Sequence, residues 1–298
     1  MVVDPAQIEQ TASGALPVLA RILLVTDFSP CSEVAVPVAR LLAESYGGTV
    51  TAAHVILRDE DPGPNEAVVG TAEEIAALAE EQMTAFLANN RLWGAGSIIT
   101  SGSFEEAIAT LVKEAGFDAV VVGTHGRTGV GKIMLGSVAQ RIFNSAPCPV
   151  ATVSLKARMS AWMGTKLNKI LYATDLSEVS KRALPYALSL AKANQAELLL
   201  VHSPDESAQE EGRNHDLAEL IPRADRSWCQ FSQTAVAGEG AFGIVRLAEN
   251  QAVDLIVIGA EQLSAGPLHR INVPFTTAYQ IVANAPCPVL RVRSGALE

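Results

Sequence analysis

The chain has 298 residues, of which 49% are hydrophobic and 5% aromatic, so it is long enough for two domains with a core each and too apolar to be disordered. Its formal net charge of -10 argues against a surface built to bind nucleic acid or anionic lipid, although it does not exclude a small basic site. We therefore expect neither nucleic acid nor a membrane as a partner.

The cysteines and the apolar runs predict a cytoplasmic protein. No CxxC pair is present, which favours reduced buried thiols over a disulfide framework or a zinc site. The first residues lack a basic start followed by an apolar run, and no apolar stretch approaches the roughly 20 residues that span a bilayer. The four cysteines are Cys31, Cys148, Cys229 and Cys287.

The first half of the chain alternates short β-rich apolar runs with longer helical patterns. This alternation is typical of a parallel sheet covered by helices on both faces, so the predicted fold class is α/β. The predicted strands lie near 21–26, 49–56, 97–100, 118–123 and 149–153, and the predicted helices near 31–46, 72–90, 104–116 and 136–145.

The second half repeats the first. The repeat predicts two tandem domains, 1–155 and 156–298, each an open parallel five-stranded sheet, with the second shorter between its second and third strands. The matching segments are RILLVTDFS (21–29) with KILYATDLS (169–177), AAHV (52–55) with LVHS (200–203), FDAVVVGTH (117–125) with VDLIVIGAE (253–261), and NSAPCPVATV (144–153) with ANAPCPVLRV (283–292).

Three predicted strands of the first copy end in residues suited to a ligand. Asp27 follows the first strand, Val55 ends the second and Gly123 ends the fourth. In an open parallel sheet, ligands bind beyond the carboxyl ends of the strands, where the winding direction reverses. The glycine-rich segment after Gly123 leads into a helix that opens with Gly136 and Ser137, which predicts a phosphate cradle.

A Walker A loop is the alternative interpretation of the same segment. GRTGVGKI, residues 126–133, fits that spacing up to Lys132 but has Ile133 where a hydroxyl should meet magnesium. The loop also follows the fourth strand and not the first, and no later strand ends in a Walker B aspartate. The Walker interpretation is therefore disfavoured.

The spacing G-x2-G-x9-G-S, met by Gly123, Gly126, Gly136 and Ser137, resembles the nucleotide-binding loop of the universal stress proteins. The tandem arrangement resembles the two-domain type of that family, with its Rossmann-like, adenine nucleotide alpha hydrolase-like fold. The resemblance implies ATP or another adenine nucleotide, accompanied by Mg²⁺. It implies that the nucleotide contacts Thr26, Asp27, Val55, Gly123, His125, Gly126, Arg127, Gly136, Ser137 and Val138.

Two of these residues have alternative interpretations. His125 can pack on the sugar or bond the loop backbone, and general-base catalysis is disfavoured because no nearby carboxylate in the sequence is placed to orient it. Asp27 can cap the following helix, although Ser29 and Ser32 can do so too, and ligand contact is favoured. No residue is predicted to be catalytic.

The second copy lacks the loop motif. Glu261 and Gln262 stand where His125 and Gly126 stand in the first copy, and Ser203 replaces Val55. Because Glu261 would repel phosphate, we predict one nucleotide per chain, with the second domain retained for pairing.

The leading hypothesis is a non-enzymatic ATP-binding stress-response module whose occupancy is recognised by an unknown protein partner. A slow nucleotide hydrolase of the same topology and a non-binding dimerisation module are the alternatives. VATV (150–153) and VLRV (289–292) are predicted to pair within the chain, so that a pseudo-twofold axis relates the two domains. The sequence does not decide whether two chains also form a homodimer.

Overall fold

The computed structural model describes residues 15–57, 71–124, 136–157, 162, 166–203, 216–236, 239–260 and 277–293. The first copy alternates strands and helices in the predicted order. Its elements are β1 (Arg21–Val25), α1 (Pro30–Glu33), α2 (Val36–Glu44), β2 (Thr49–Leu57), α3 (Ala72–Asn89), β3 (Gly96–Gly102), α4 (Phe104–Ala115), β4 (Ala119–Gly123), α5 (Ser137–Ser145) and β5 (Val150–Val153).

Among the described residues, the second copy repeats this order except between its second and third strands. A four-residue 3-10 turn, Leu217–Leu220, lies between its second and third strands, where the first copy has α3. The prediction that the second copy is shorter here is confirmed. Its elements are β6 (Lys169–Thr174), α6 (Glu178–Lys181), α7 (Leu184–Asn194), β7 (Glu197–His202), β8 (Phe231–Ala235), α8 (Gly240–Asn250), β9 (Leu255–Gly259), α9 (Thr277–Asn284) and β10 (Val289–Val292).

The ten strands of the described ranges belong to one sheet, in the order β3-β2-β1-β4-β5-β10-β9-β6-β7-β8. Within each copy the neighbouring strands are parallel, and the predicted α/β class is confirmed. In the first copy β1 lies between β2 and β4, so the winding direction reverses at the β1–β4 boundary.

The two five-stranded halves join at an antiparallel seam, which we define as the β5–β10 pair. Its register pairs Val150 with Arg291, Ala151 with Leu290, and Thr152 with Val289. The predicted pairing of these strands within one chain is confirmed.

Two apolar layers cover the sheet, one on each face. Side chains alternate along a strand, so Ile22 and Leu24 lie in one layer with α2 and α7, whereas Leu23 and Val25 lie in the other with α4, α5, α8 and α9. Both layers contain residues of both copies and therefore continue across the seam.

The helix predicted over 31–46 is in fact two helices, α1 and α2, separated at Val34 and Ala35. The physical reason is Pro37, the second residue of α2, which lacks an N–H and would clash with the carbonyl four residues earlier in a continuous helix. Pro185 occupies the same place in α7, so the break is a property of the repeat.

None of the helices in the described ranges is long and apolar enough to cross a membrane.

The four cysteines are free and buried. Burial raises the pKa of Cys148 to about 12, with Arg291 opposing only part of the effect, and burial together with Asp225 raises the pKa of Cys229 to about 11. Since the thiolate is the reactive form, we expect the native protein at pH 8 to resist Ellman's reagent and to release all four thiols in denaturant. Fast reaction of the native chain would contradict this burial.

Candidate functional site

The carboxyl ends of β1, β2 and β4 lie side by side. Val25, the last residue of β1, is in register with Ala53 of β2 and with Val122 of β4. The Thr26 amide continues this ladder by donating to the Ala53 carbonyl at 2.9 Å. Thr26 and Gly123 thus lie at the winding reversal between β1 and β4, and Val55 lies near the same edge of the sheet in β2, on the other side of β1.

The turn after β1 is held by the Thr26 side chain. Thr26 is 3% exposed, and its Oγ1 accepts from the Phe28 amide at 2.9 Å and shares a hydrogen bond of 2.9 Å with Ser32 Oγ. Phe28 has a φ of 61°, in the left-handed region that bulky side chains rarely adopt. The Thr26 side chain is therefore used within the turn.

Asp27 is half-buried and belongs to the same turn. Its Oδ1 accepts from the Ser29 amide at 3.0 Å and from Ser29 Oγ at 2.5 Å. Ser29, and not Asp27, is the N-cap of α1, because its Oγ accepts from the Ser32 amide. The capping alternative for Asp27 is thus wrong.

The second copy forms the same turn. Thr174 Oγ1 accepts from the Leu176 amide at 2.9 Å and shares a hydrogen bond of 2.8 Å with Ser180 Oγ, and Asp175 Oδ1 accepts from the Ser177 amide at 2.9 Å. Leu176 has a φ of 65°, matching Phe28. The repeated T-D-x-S pattern is therefore first of all a signature of this turn.

Sequence reasoning missed an aromatic support beneath the turn. His54 Nδ1 donates to the Thr26 carbonyl at 2.9 Å, and its ring lies 4.4 Å from that of Phe28. Phe86 of α3 meets Phe28 edge-on at 6.0 Å. His54 precedes Val55, so this stack fixes β2 against the turn that carries Asp27. The sequence signal for this contact was the presence of TDFS after β1 together with AAHV in β2.

Gly123 has a packing role of its own. A Cβ on Gly123 would lie 2.2 Å from the Cys31 carbonyl oxygen, because the start of α1 crosses the end of β4. Gly259 at the end of β9 has the same constraint, with the Val179 carbonyl oxygen at 2.2 Å. These two glycines let backbone lie against backbone in both copies.

The two ends of the glycine-rich loop meet above the sheet. The Thr124 amide donates to the Val153 carbonyl at 2.8 Å, and the Gly136 amide donates to the Thr124 carbonyl at 2.6 Å. Gly136 is the N-cap of α5, which begins at Ser137. The positive end of α5 therefore opens beside β4 and suits an anion.

The remaining predicted residues divide into two groups. Val138 is half-buried and packs on the apolar layer that contains α4 and α5, and Val55 is buried two residues before the end of β2. His125, Gly126 and Arg127 lie outside the described residues, as do Lys132, Ile133, Glu261 and Gln262.

The described residues do not form a magnesium site by themselves. Across the described ranges, no group of three or more His, Cys, Asp or Glu could hold a metal ion. Mg²⁺ is usually bound through one or two carboxylates together with substrate phosphates. The arrangement of a half-buried acidic residue, strand-end backbone and a helix N-terminus around one winding reversal suits a small anionic ligand.

The comparisons with known proteins agree with the repeat. The model of the Universal stress protein family matches residues 19–154 and again 166–293. A universal stress protein of Methanocaldococcus jannaschii is 30% identical over 139 residues, covering 45% of this chain and 81% of that protein. One of Thermus aquaticus is 33% identical over 137 residues, covering 42% of this chain and 97% of that protein.

A solved structure shares the whole two-copy architecture. The universal stress protein of Archaeoglobus fulgidus has a TM-score of 0.72 and 18% identity, covering 93% of this chain and 99% of that one. A functionally unknown protein of Pseudomonas aeruginosa has a TM-score of 0.55 and 17% identity, with 93% of each chain covered. At these identities the likeness concerns the fold.

Proposed function

Because this chain belongs to the universal stress protein family, we propose that it is an ATP-binding stress-response module whose nucleotide lies in the first domain, residues 1–155. The second domain, residues 156–298, serves as its bound partner. ATP or another adenine nucleotide occupies the carboxyl edge of β1, β2 and β4, with the phosphates toward α5 and any Mg²⁺ carried on them.

The position of Asp27 supports this proposal most. Asp27 is half-buried and follows Thr26 directly, at the winding reversal between β1 and β4. Oδ1 accepts from Ser29, and a carboxylate is an acceptor-only group, so the chemistry of Asp27 suits a ribose hydroxyl or an adenine amino group as a ligand donor.

Both copies form the same turn, so the two domains differ chiefly in the segment that follows β4 in the first copy and β9 in the second. Asp175 and Gly259 keep their places there, whereas Glu261 and Gln262 replace the residues that would approach phosphate. A carboxylate beside a triphosphate costs about 1 kcal/mol even in water and more in a cleft. We therefore propose one nucleotide per chain.

Binding, and not turnover, is the proposed activity. An unknown protein partner recognises the nucleotide-bound form. The cytoplasm is the proposed location, because four free buried thiols suit a reducing compartment. Turnover at enzyme-like rates would favour the hydrolase alternative, and a freshly purified protein without bound nucleotide and without affinity for ATP would favour the dimerisation alternative.

Titration calorimetry of the full chain with ATP tests the proposal. Asp27→Asn keeps an oxygen for Ser29 but loses the charge, so we expect unchanged thermal stability and affinity about 10- to 100-fold weaker, the range for a hydrogen bond to a charged group. Asp175→Asn is the matched control and should bind one ATP like the wild type. Equal affinities in the two variants would contradict the assignment to the first domain.

A further inference from the structure

The seam buries a cation. Arg291 of β10 is 0% exposed, and its Nε and both Nη atoms have no hydrogen-bond partner among the described residues. Burial lowers the pKa of Arg291 to about 10, with Arg293 also lowering it, so the guanidinium is still charged at neutral pH. An unpaired buried charge is strongly unfavourable, which makes its surroundings informative.

The first domain supplies what offsets this charge. The guanidinium carbon of Arg291 lies 4.7 Å from the centre of the Phe143 ring, within the range of a cation–π interaction. Phe143 belongs to the last turn of α5, whose negative end also favours a cation. Arg293 adds a second link, since its Nη1 donates to the Ser145 carbonyl at 3.4 Å.

The two copies contribute different residues to this contact. By the repeat, Thr152 of β5 is the counterpart of Arg291, and Val282 of α9 is the counterpart of Phe143. Thr152 is 1% exposed, and its Oγ1 donates to the Val289 carbonyl at 3.3 Å across the seam. The arginine therefore comes from the second domain and the aromatic ring from the first.

We propose that Arg291 and Phe143 are a matched pair that makes the β10 edge specific for the β5–α5 surface of the first domain of the same chain. Pairing of β10 with a second β10 in the same register would bury two guanidinium groups on one face and offer each a Val282 in place of a ring. Such a pairing is penalised by repulsion and by the missing aromatic contact.

A second arginine placed in the seam reproduces that penalty within one intact chain. Thr152→Arg should lower the melting temperature by about 5–10 °C, whereas Thr152→Met, whose side chain is about as long as arginine but uncharged, should lower it by less than half as much. Adding Val282→Phe to Thr152→Arg supplies the missing ring and should restore at least about half of the loss. Equal melting temperatures for the two single variants, or no recovery with Val282→Phe, would overturn the proposal.

Removing the charge tests the specificity itself. Arg291→Met keeps the length of the side chain, and after refolding at high concentration it should give a larger oligomeric share than the wild type by native mass spectrometry. An unchanged share would overturn the role of Arg291 in partner choice. These measurements need no nucleotide, so their results do not depend on whether the chain binds ATP.

Discussion

The Gly126→Asp variant is expected to bind ATP at least about 100-fold more weakly than the wild type, a loss of about 2.7 kcal/mol. Gly126 follows Thr124 closely, and Thr124 is tied by hydrogen bonds to β5 and to Gly136 at the start of α5. The family resemblance makes Gly126 a contact of the phosphates, so a carboxylate introduced at this position would repel them. At about 4 Å and an effective dielectric near 20, each like-charge pair costs about 4 kcal/mol.

The aligned position in the second copy provides the control. Gln262→Asp introduces the same carboxylate into the loop that we propose to be empty, so ATP affinity and stoichiometry should stay at the wild-type values in calorimetry. We expect both variants to unfold at the wild-type temperature, and a thermal melt of each variant separates a loss of binding from a loss of fold. Wild-type affinity in Gly126→Asp would contradict a phosphate site in this loop.

The sequence predicted the topology well because the fold repeats. Each apolar run could be checked against its second copy, and the parallel order then placed Asp27, Val55 and Gly123 at one edge. The pairing of VATV with VLRV was also predictable, since two similar strands at the ends of two similar sheets suit a pseudo-twofold.

Local packing was less accessible from the sequence. The apolar periodicity of 31–46 is continuous, so it predicted one helix, although Pro37 near the start of α2 is a known signal for a helix beginning. Arg291 is a charged residue in a four-residue strand, and no pattern within that strand indicates that it stacks on a ring from the other copy.

Residues that matter for two reasons are the hardest to interpret. Thr26 and Gly123 were predicted as ligand contacts, yet the structure gives each a reason to be present without a ligand. The comparison of the two copies separates these reasons, because Thr174 and Gly259 keep the same contacts beside a loop that lacks the motif.

Gly123→Ala is accordingly expected to destabilise the protein by about 2–4 kcal/mol, whether or not nucleotide is present. The added Cβ would lie 2.2 Å from the Cys31 carbonyl oxygen and 2.9 Å from its carbon, both backbone atoms that cannot rotate away. Either α1 or the end of β4 must move. The free energy of unfolding, measured in urea without nucleotide, should fall accordingly.

Gly259→Ala is the matched variant, because its Cβ would lie 2.2 Å from the Val179 carbonyl oxygen. Its loss of stability should be similar, while its ATP affinity at a temperature where it stays folded should be unchanged. Gly123→Ala should lose affinity as well, since moving α1 also moves the turn that carries Asp27. A Gly123→Ala chain as stable as the wild type would mean that this glycine serves the ligand alone; equal binding losses in both variants would mean that the two loops share one nucleotide site.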